Sequence, residues 1–308
     1  MSTTTPASSS ASAQPAPLAV ITVTFSPGRH LRSLIDSLEA ATRRPTLVVM
    51  ADNGSTDGAP QAVVRPGVEL LPTGGNLGYG RAVNAAVRYL APRRARGEIE
   101  GEFFLVVNPD VEFTPGALDE LLSCARRWEG AGAIGPLIRQ SDGSAYPSAR
   151  AVPSLRTGIG HALLGGVWPD NPWTRAYKAG AEMSSERAAG WLSGSCLLLR
   201  WADFEALGGF DERYFMYMED VDLGDRLERA GRQNVLCPSA VIEHDQGHVA
   251  RRYSAVTVPA HHASAYRFLA DRLPGWWRAP LRAALWVGLR LRAEAVRWRD
   301  GGGVGVAG

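Results

Sequence analysis

Apolar positions along this chain fall into two kinds of run: short, continuous, β-branched stretches and longer stretches with helical spacing. Leu18 to Phe25 reads Leu-Ala-Val-Ile-Thr-Val-Thr-Phe, as in a strand buried on both faces, and it stops at Ser26-Pro27-Gly28. From Arg29 to Ala41, Leu31, Leu34, Ile35 and Leu38 recur at helical spacing while Arg32, Asp36 and Glu39 look outward, which predicts a helix with one face on a sheet. Thr46 to Ala51 predicts a second buried strand. It ends in Asp52-Asn53-Gly54-Ser55-Thr56-Asp57-Gly58, where two glycines and several Asx or hydroxyl side chains specify a loop.

The pattern continues with a short strand over Val68 to Leu71, the glycine-rich Gly74 to Gly80, a helix over Arg81 to Leu90 and a strand over Phe103 to Val107 that runs into Asn108-Pro109-Asp110. A helix start is expected at Pro115. Further strands are expected over Trp191 to Arg200 and Asn234 to Ile242, the latter delivering His244, with a helix over Glu219 to Ala230 between them. Alternating strands and helices imply an α/β fold with a mostly parallel, Rossmann-like sheet flanked by helices. Ligands in such sheets bind along the carboxyl ends of the strands.

Between Gln140 and Ala189 the rhythm breaks: Pro147, Pro153, Pro169 and Pro172 stand beside Trp168, Trp173 and Tyr177, as in an insertion that shapes an acceptor-side cleft. The expected organisation is a disordered tail over residues 1–17, a main domain over 18–260, a basic aromatic helical segment over 261–300 and a flexible Gly-rich tail over 301–308. Residues 1–17 are almost entirely Ser, Thr, Ala, Pro and Gln, too polar to offset the entropy of ordering.

Composition narrows the function. At 308 residues and 45% hydrophobic content the chain can bury a full core. The net charge of +2 supplies no broad field for a polyanion, so nucleic acid is not an expected partner. Cys124, Cys196 and Cys237 are odd in number and never in a CxxC pair, against a disulfide framework or a zinc site. No apolar run is long enough for a membrane span and no signal peptide is recognisable, so a cytoplasmic location is expected. The segment from Arg272 to Arg299 carries seven arginines, one acid (Glu294) and Trp276, Trp277, Trp286 and Trp298, a composition suited to lying on an anionic membrane surface. Packing against the main domain competes with that reading. A homo-oligomer stays compatible with the sequence.

The candidate chemistry gathers at strand ends. Asp110 follows an apolar strand, where a carboxylate can ligate a divalent cation that stabilises charge on a leaving phosphate; an ordinary Asn-Pro-Asp turn is the bland alternative. Asp52, likewise at a strand end, can accept from a pyrimidine N–H or a ribose hydroxyl, or serve as an ordinary loop or cap residue. Gly74 to Gly80 can let backbone approach a nucleotide, with Arg81 near phosphate, or form a hairpin-like turn. Glu219, Asp220 and Asp222 open a helix, favoured there by its dipole, and Asp220 or Glu219 can take the proton of an attacking hydroxyl. His244 is either a structural histidine or a second metal ligand beside Asp110.

Taken together, Ala51-Asp52-Asn53-Gly54-Ser55-Thr56-Asp57-Gly58, Gly75-Asn76-Leu77-Gly78-Tyr79-Gly80-Arg81-Ala82-Val83-Asn84, Asn108-Pro109-Asp110 and the run from Gly208 to Asp222 resemble family-2 glycosyltransferases of the GT-A fold over roughly Leu18 to His248. The last motif is especially similar to bacterial rhamnosyltransferases. Gly135-Pro136-Leu137-Ile138, Tyr146-Pro147-Ser148-Ala149-Arg150, Trp191-Leu192-Ser193-Gly194-Ser195-Cys196 and Gly275 to Leu281 look like actinobacterial members that act on a polyprenyl-diphospho-GlcNAc acceptor.

The resemblance implies inverting transfer from dTDP-L-rhamnose, with Thr24, Asp52 and Asn53 at the nucleotide, Asn76, Arg81 and Asn108 beside it, Asp110 and His244 on Mg²⁺ or Mn²⁺, and Asp220 or Glu219 as base. It also implies a place on the inner face of the cell membrane. This chain carries Asn-Pro-Asp where many relatives have Asp-x-Asp. A Mg²⁺-dependent nucleotidyltransferase and a noncatalytic nucleotide-sugar binder are the competing readings; the intact acidic cluster speaks against the binder.

Overall fold

A computed structural model describes residues 15–153, 182–244 and 254–301. Most of the insertion, residues 1–14 of the N-terminal tail and residues 302–308 of the C-terminal tail lie outside the described residues. The expected βα units form: strand β1 (Leu18–Thr24), helix α1 (His30–Ala41), β2 (Thr46–Asp52), the short helix α2 (Ala59–Ala62), β3 (Val68–Pro72), α3 (Tyr79–Ala95) and β4 (Phe103–Val107). Next come β5 (Val111–Phe113), α4 (Ala117–Arg127), β6 (Ala131–Arg139), and the short strands β7 (Ala145–Tyr146), β8 (Ala149–Arg150), β9 (Arg187–Ala189) and β10 (Trp191–Leu192). The chain then forms β11 (Cys196–Arg200), α5 (Trp201–Ala206), α6 (Glu219–Arg229), β12 (Gln233–His244), α7 (Ser254–Asp271) and α8 (Ala279–Gly301).

The main sheet runs β3-β2-β1-β4-β11-β6-β12-β5, with β7 on β6 and β9 on β12. From β3 to β4 every pairing is parallel, whereas β11 is antiparallel to both neighbours. The α/β reading of the sequence holds, and the antiparallel β11 turns the loop before it to the same edge as the carboxyl ends of β1, β2 and β4. One apolar layer packs α1 and α4 on the sheet through Leu31, Leu34, Leu118 and Leu121; another packs α3 and α5 through Val83, Leu90, Trp201 and Phe204.

Three elements depart from the sequence reading. The strand expected over Trp191 to Arg200 is broken: Trp191–Leu192 pairs with Ala149–Arg150 in a separate small sheet, and Ser193-Gly194-Ser195 turns the chain before Cys196 enters the main sheet. Helix α3 begins at Tyr79 and runs past Leu90 to Ala95 with Pro92 in its last turn; Pro92 has no N–H to give the Arg88 carbonyl, so the ladder loses one bond there without ending. Strand β6, with Gly132, Gly135 and Pro136, carries no periodic signal, yet most of it is buried. The missing N–H of Pro136 falls where the register with β12 shifts between Cys237 and Val241, the irregular position at which a strand tolerates proline.

Helix α7 runs unbroken through the boundary expected at residue 260. It docks by Phe268, buried against Tyr214 and Val221, by Ser264 Oγ donating to the Met216 carbonyl (2.8 Å), and just past its end by the Arg272–Asp225 ion pair. It therefore braces the turn that leads into α6.

Candidate active site

Thr24, Asp52, Asn53, Asn108, Asp110 and His244 lie at one edge of the sheet, and the turn at Gly194 brings Asp220 to it; the hydrogen bonds show how each is held. Thr24, the last residue of β1, donates through Oγ1 to Asp52 Oδ1 at 2.8 Å, and both are buried. The Ser55 backbone N–H adds bonds of 3.2 Å to each Asp52 oxygen, and its hydroxyl adds another. Asp52 is thus fixed at the end of β2 by the loop that follows it. Asn53 ties that strand to the glycine-rich loop: its amide donates to the Gly78 carbonyl at 3.1 Å and its oxygen accepts from Thr73 Oγ1 at 2.9 Å. Asn76 accepts from the Gly78 N–H at 3.1 Å and keeps its side chain exposed.

The glycine-rich loop serves a partner that the sequence does not reveal. Gly78 has φ +83°, and a Cβ there would lie 2.1 Å from the Phe215 carbonyl oxygen, which accepts the N–H of Tyr79. The close backbone approach is to the 208–218 segment of this same chain. Asn84 completes the dock by exchanging two hydrogen bonds with the backbone of Phe210. Arg81 turns aside from the edge, its Nε donating to the Glu212 carbonyl at 2.7 Å.

At the end of β4, Asn108 receives its position from the Ser195 carbonyl, which accepts its backbone N–H at 2.8 Å. Asp110 Oδ1 lies 3.1 Å from His244 Nε2, although the two are far apart in sequence; the antiparallel pairing of β5 with the end of β12 brings them together. That separation is close to the edge of an octahedron with metal–ligand bonds of about 2.1 Å. One carboxylate oxygen and one imidazole nitrogen therefore fit as two neighbouring ligands of Mg²⁺ or Mn²⁺. A cleft of ≈ 520 Å³ opens beside them, lined among others by Arg29, Glu112, Arg139 and Glu243.

The acidic cluster divides into unlike members. Asp222 forms an ion pair with Arg226 (2.7 Å), which also donates to the Leu207 and Gly209 carbonyls. Asp220 Oδ2 accepts from the Gly194 N–H at 2.9 Å, and Oδ1 from the Val221 N–H at 2.8 Å. Burial raises its pKa from the usual aspartate value, while the two N–H donors work the other way and favour its anion. Glu219 is more deeply buried and its Oε2 has no hydrogen-bond partner among the described residues. Burial first, then the charge of Asp220, pushes its pKa up to about 8, so at neutral pH Glu219 largely holds its proton. Just before them, Tyr217 and Met218 adopt left-handed φ values of 66° and 68°, unusual for non-glycine residues and typical of strained functional turns.

Two residues given no role from sequence complete the arrangement. Tyr79 donates its hydroxyl to the Gly194 carbonyl at 2.6 Å, so Gly194 is held through its carbonyl by Tyr79 and through its N–H by Asp220. Burial raises the Tyr79 pKa well above its usual value, and Glu219, Asp220 and Asp110 add to it, which keeps the phenol a donor. A Ser-Gly-Ser interruption inside an otherwise apolar strand is the sequence signal for this turn.

Residues 19–176 match the family description Glycosyl transferase family 2. The chain is 55% identical over 287 residues to the N-acetylglucosaminyl-diphospho-decaprenol L-rhamnosyltransferase of Mycobacterium tuberculosis (strain ATCC 25618 / H37Rv), covering 90% of this chain and 92% of that one. Among solved structures it resembles GalNAc-T7 with UDP, GalNAc and Mn²⁺ (TM-score 0.53, 13% identity, 75% of this chain and 44% of that chain). It also resembles the mannosyltransferase PcManGT from Pyrobaculum calidifontis with GDP-Man and Mn²⁺ (TM-score 0.52, 18% identity, 96% and 77%). These two likenesses establish the shared GT-A fold.

Proposed function

Since this chain belongs to glycosyl transferase family 2 and is a glycosyltransferase, we propose that it transfers L-rhamnose from dTDP-L-rhamnose to the GlcNAc of a polyprenyl-diphospho-GlcNAc acceptor, with inversion. The rhamnosyl group and the acceptor follow the activity of the 55% identical relative, and the dTDP carrier follows the sequence resemblance. The observation that carries the mechanism is that Asp220, aimed by Gly194, and Asp110, paired with His244, both stand near enough to Tyr79 to raise its pKa.

In this reading Thr24, Asp52 and Asn53 receive the nucleoside, with Asn76 and Asn108 beside it. The Asp220 carboxylate accepts the proton of the acceptor hydroxyl as that oxygen attacks the anomeric carbon. The bond from that carbon to the diphosphate oxygen breaks, its electron pair leaves with dTDP, and a single displacement inverts the centre. A divalent cation held by Asp110 and His244 would supply stabilisation of the negative charge gathering on the diphosphate; the Mn²⁺ in both related structures supports this. Protonated Glu219 keeps a second negative charge away from Asp220.

No described helix is long and apolar enough to cross a membrane. Trp276 and Leu291 are 84% and 68% exposed, with Trp277, Leu281, Trp286 and Val287 also exposed, and the guanidinium of Arg290 lies 4.7 Å from the Trp286 ring centroid. Aromatic and aliphatic side chains interleaved with arginine suit peripheral binding to anionic lipid, at the cytoplasmic face where a prenyl-linked acceptor would be met.

The test is a donor screen with purified protein, Mg²⁺ or Mn²⁺ and a short prenyl-diphospho-GlcNAc acceptor, read by mass spectrometry. A deoxyhexose added from dTDP-rhamnose with release of dTDP is the expected result. Transfer from a different donor would discard the rhamnosyl assignment, and pyrophosphate release from a nucleoside triphosphate would discard the reaction.

A further inference from the structure

The cleft beside Asp110 and His244 is built from the half of the sheet that the donor does not use. Thr24, Asp52 and Asn53 stand at the ends of β1 and β2, whereas Glu112, Arg139 and Glu243 come from β5, β6 and β12, with β4 and β11 between the two groups. Arg139 is the last residue of β6, where the tight hairpin to β7 starts, and it lies beside Glu243 in register; Glu243 in turn lies opposite Glu112. Arg29 enters from the start of α1. That helix is held on β5 by the Phe113 N–H donating to Ser37 Oγ at 3.1 Å.

Both guanidiniums are exposed, and neither has a carboxylate within 4.0 Å nor a side-chain hydrogen bond among the described residues, although three acids line the same cleft. Elsewhere in the main domain arginines such as Arg93, Arg200, Arg226 and Arg232 are engaged with acids. Two unengaged guanidiniums facing a cleft that is continuous with a cation site fit a phosphate ester, because a guanidinium binds phosphate oxygens with paired, charge-assisted N–H bonds. A divalent cation at Asp110 and His244 would offset the cleft's carboxylates and leave it anion-attracting.

We propose that this cleft binds the diphosphate of a prenyl-linked acceptor, with Arg29 and Arg139 as its phosphate-binding residues. The inference rests on the transferase reading above. It adds that the two diphosphates of the reaction lie on opposite sides of Asp110, the donor's toward β1 and β2 and the acceptor's toward β5 and β12. Such an arrangement keeps two polyanions apart while both reach one cation site.

Farnesyl diphosphate with Mg²⁺ is the binding probe, titrated calorimetrically into the full chain and into the Arg29→Ala/Arg139→Ala variant. Both side chains are exposed, so folding is not at stake. The wild type is expected to bind the probe in the presence of saturating dTDP. The variant is expected to bind it about tenfold or more weakly with dTDP affinity unchanged, and to show a matching rise in KM for a prenyl-diphospho-GlcNAc acceptor. Displacement of dTDP by the probe, a loss that falls on dTDP binding, or equal binding by variant and wild type would each overturn the assignment. If no sugar is transferred from dTDP-rhamnose, the rhamnosyl reading fails by itself, and the calorimetric arm still decides the cleft because it needs neither the sugar nor turnover.

Discussion

Asp220 accepts a 2.9 Å hydrogen bond from the backbone N–H of Gly194, so the carboxylate at the start of α6 is aimed by a turn that belongs to a different strand. A Cβ at position 194 would lie 3.3 Å from the Asp220 Cβ, and glycine is what lets the two elements close to this distance. Asp220→Asn should therefore reduce turnover by about 10²-fold or more, the range expected when a general base is lost, while dTDP binding by calorimetry persists. Unchanged turnover would move the base role to Glu219.

Glu219 links the site to pH. Its pKa lies near 8 in the fold against an ordinary value of 4.5. Between these values the folded chain keeps a proton that the unfolded chain has released. Stability from this residue is thus full below about pH 4.5 and declines as pH rises toward 8. Glu219→Gln, which cannot ionise, should be more stable than wild type at pH 8.5 by roughly 2 kcal/mol, taking about 1.4 kcal/mol per pH unit and discounting for relaxation, with little difference at pH 4. Urea denaturation at the two pH values checks it; parallel behaviour of both proteins would show that Glu219 is ionised in the fold.

Asp110→Asn and His244→Ala address the cation. Each should raise the Mn²⁺ concentration for half-maximal activity by about tenfold or more, and Asp110→Asn should also lower turnover at saturating metal by about 10²-fold. A metal titration with retained thermal stability separates a lost ligand from a damaged fold. Identical metal curves would leave the pair a plain structural hydrogen bond.

Gly78 and Gly58 make a matched pair for the backbone. Both have positive φ, +83° and +72°, yet a Cβ at Gly58 meets open space whereas at Gly78 it would meet the Phe215 carbonyl at 2.1 Å. Gly58→Ala should cost about 1 kcal/mol from the left-handed conformation alone. Gly78→Ala should cost about 3 kcal/mol or more and lower Tm by roughly 6 °C or more. Equal shifts in calorimetry would mean that the loop and the 208–218 segment separate freely.

For the membrane-facing segment, Trp276→Ala/Trp277→Ala should weaken co-sedimentation with anionic liposomes at low salt, and deleting residues 272–308 should abolish it. Undiminished sedimentation after the deletion would discard this surface as the lipid contact.

Much of this architecture is legible in the chain because the signals are local. Continuous β-branched runs such as Leu18 to Phe25 announce buried strands, and helical spacing such as that of Leu31, Leu34, Ile35 and Leu38 announces the helices that cover them. That places Asp52 and Asp110 at strand ends and Asp220 at a helix start from sequence alone. Where glycine and proline erase the pattern, as in β6, the strand itself disappears from view; where a turn interrupts an apolar run, as at Gly194, the sequence reads one strand in place of two. Only the tertiary structure decided which distant residues meet: His244 on Asp110 through the pairing of β5 with β12, Tyr79 and Asp220 on the two sides of Gly194, and Phe215 as the reason for Gly78. The chain's own neighbours fix the period of a helix or strand, but strand order and helix docking choose partners through summed packing over the whole core, and no spacing within one segment encodes that sum.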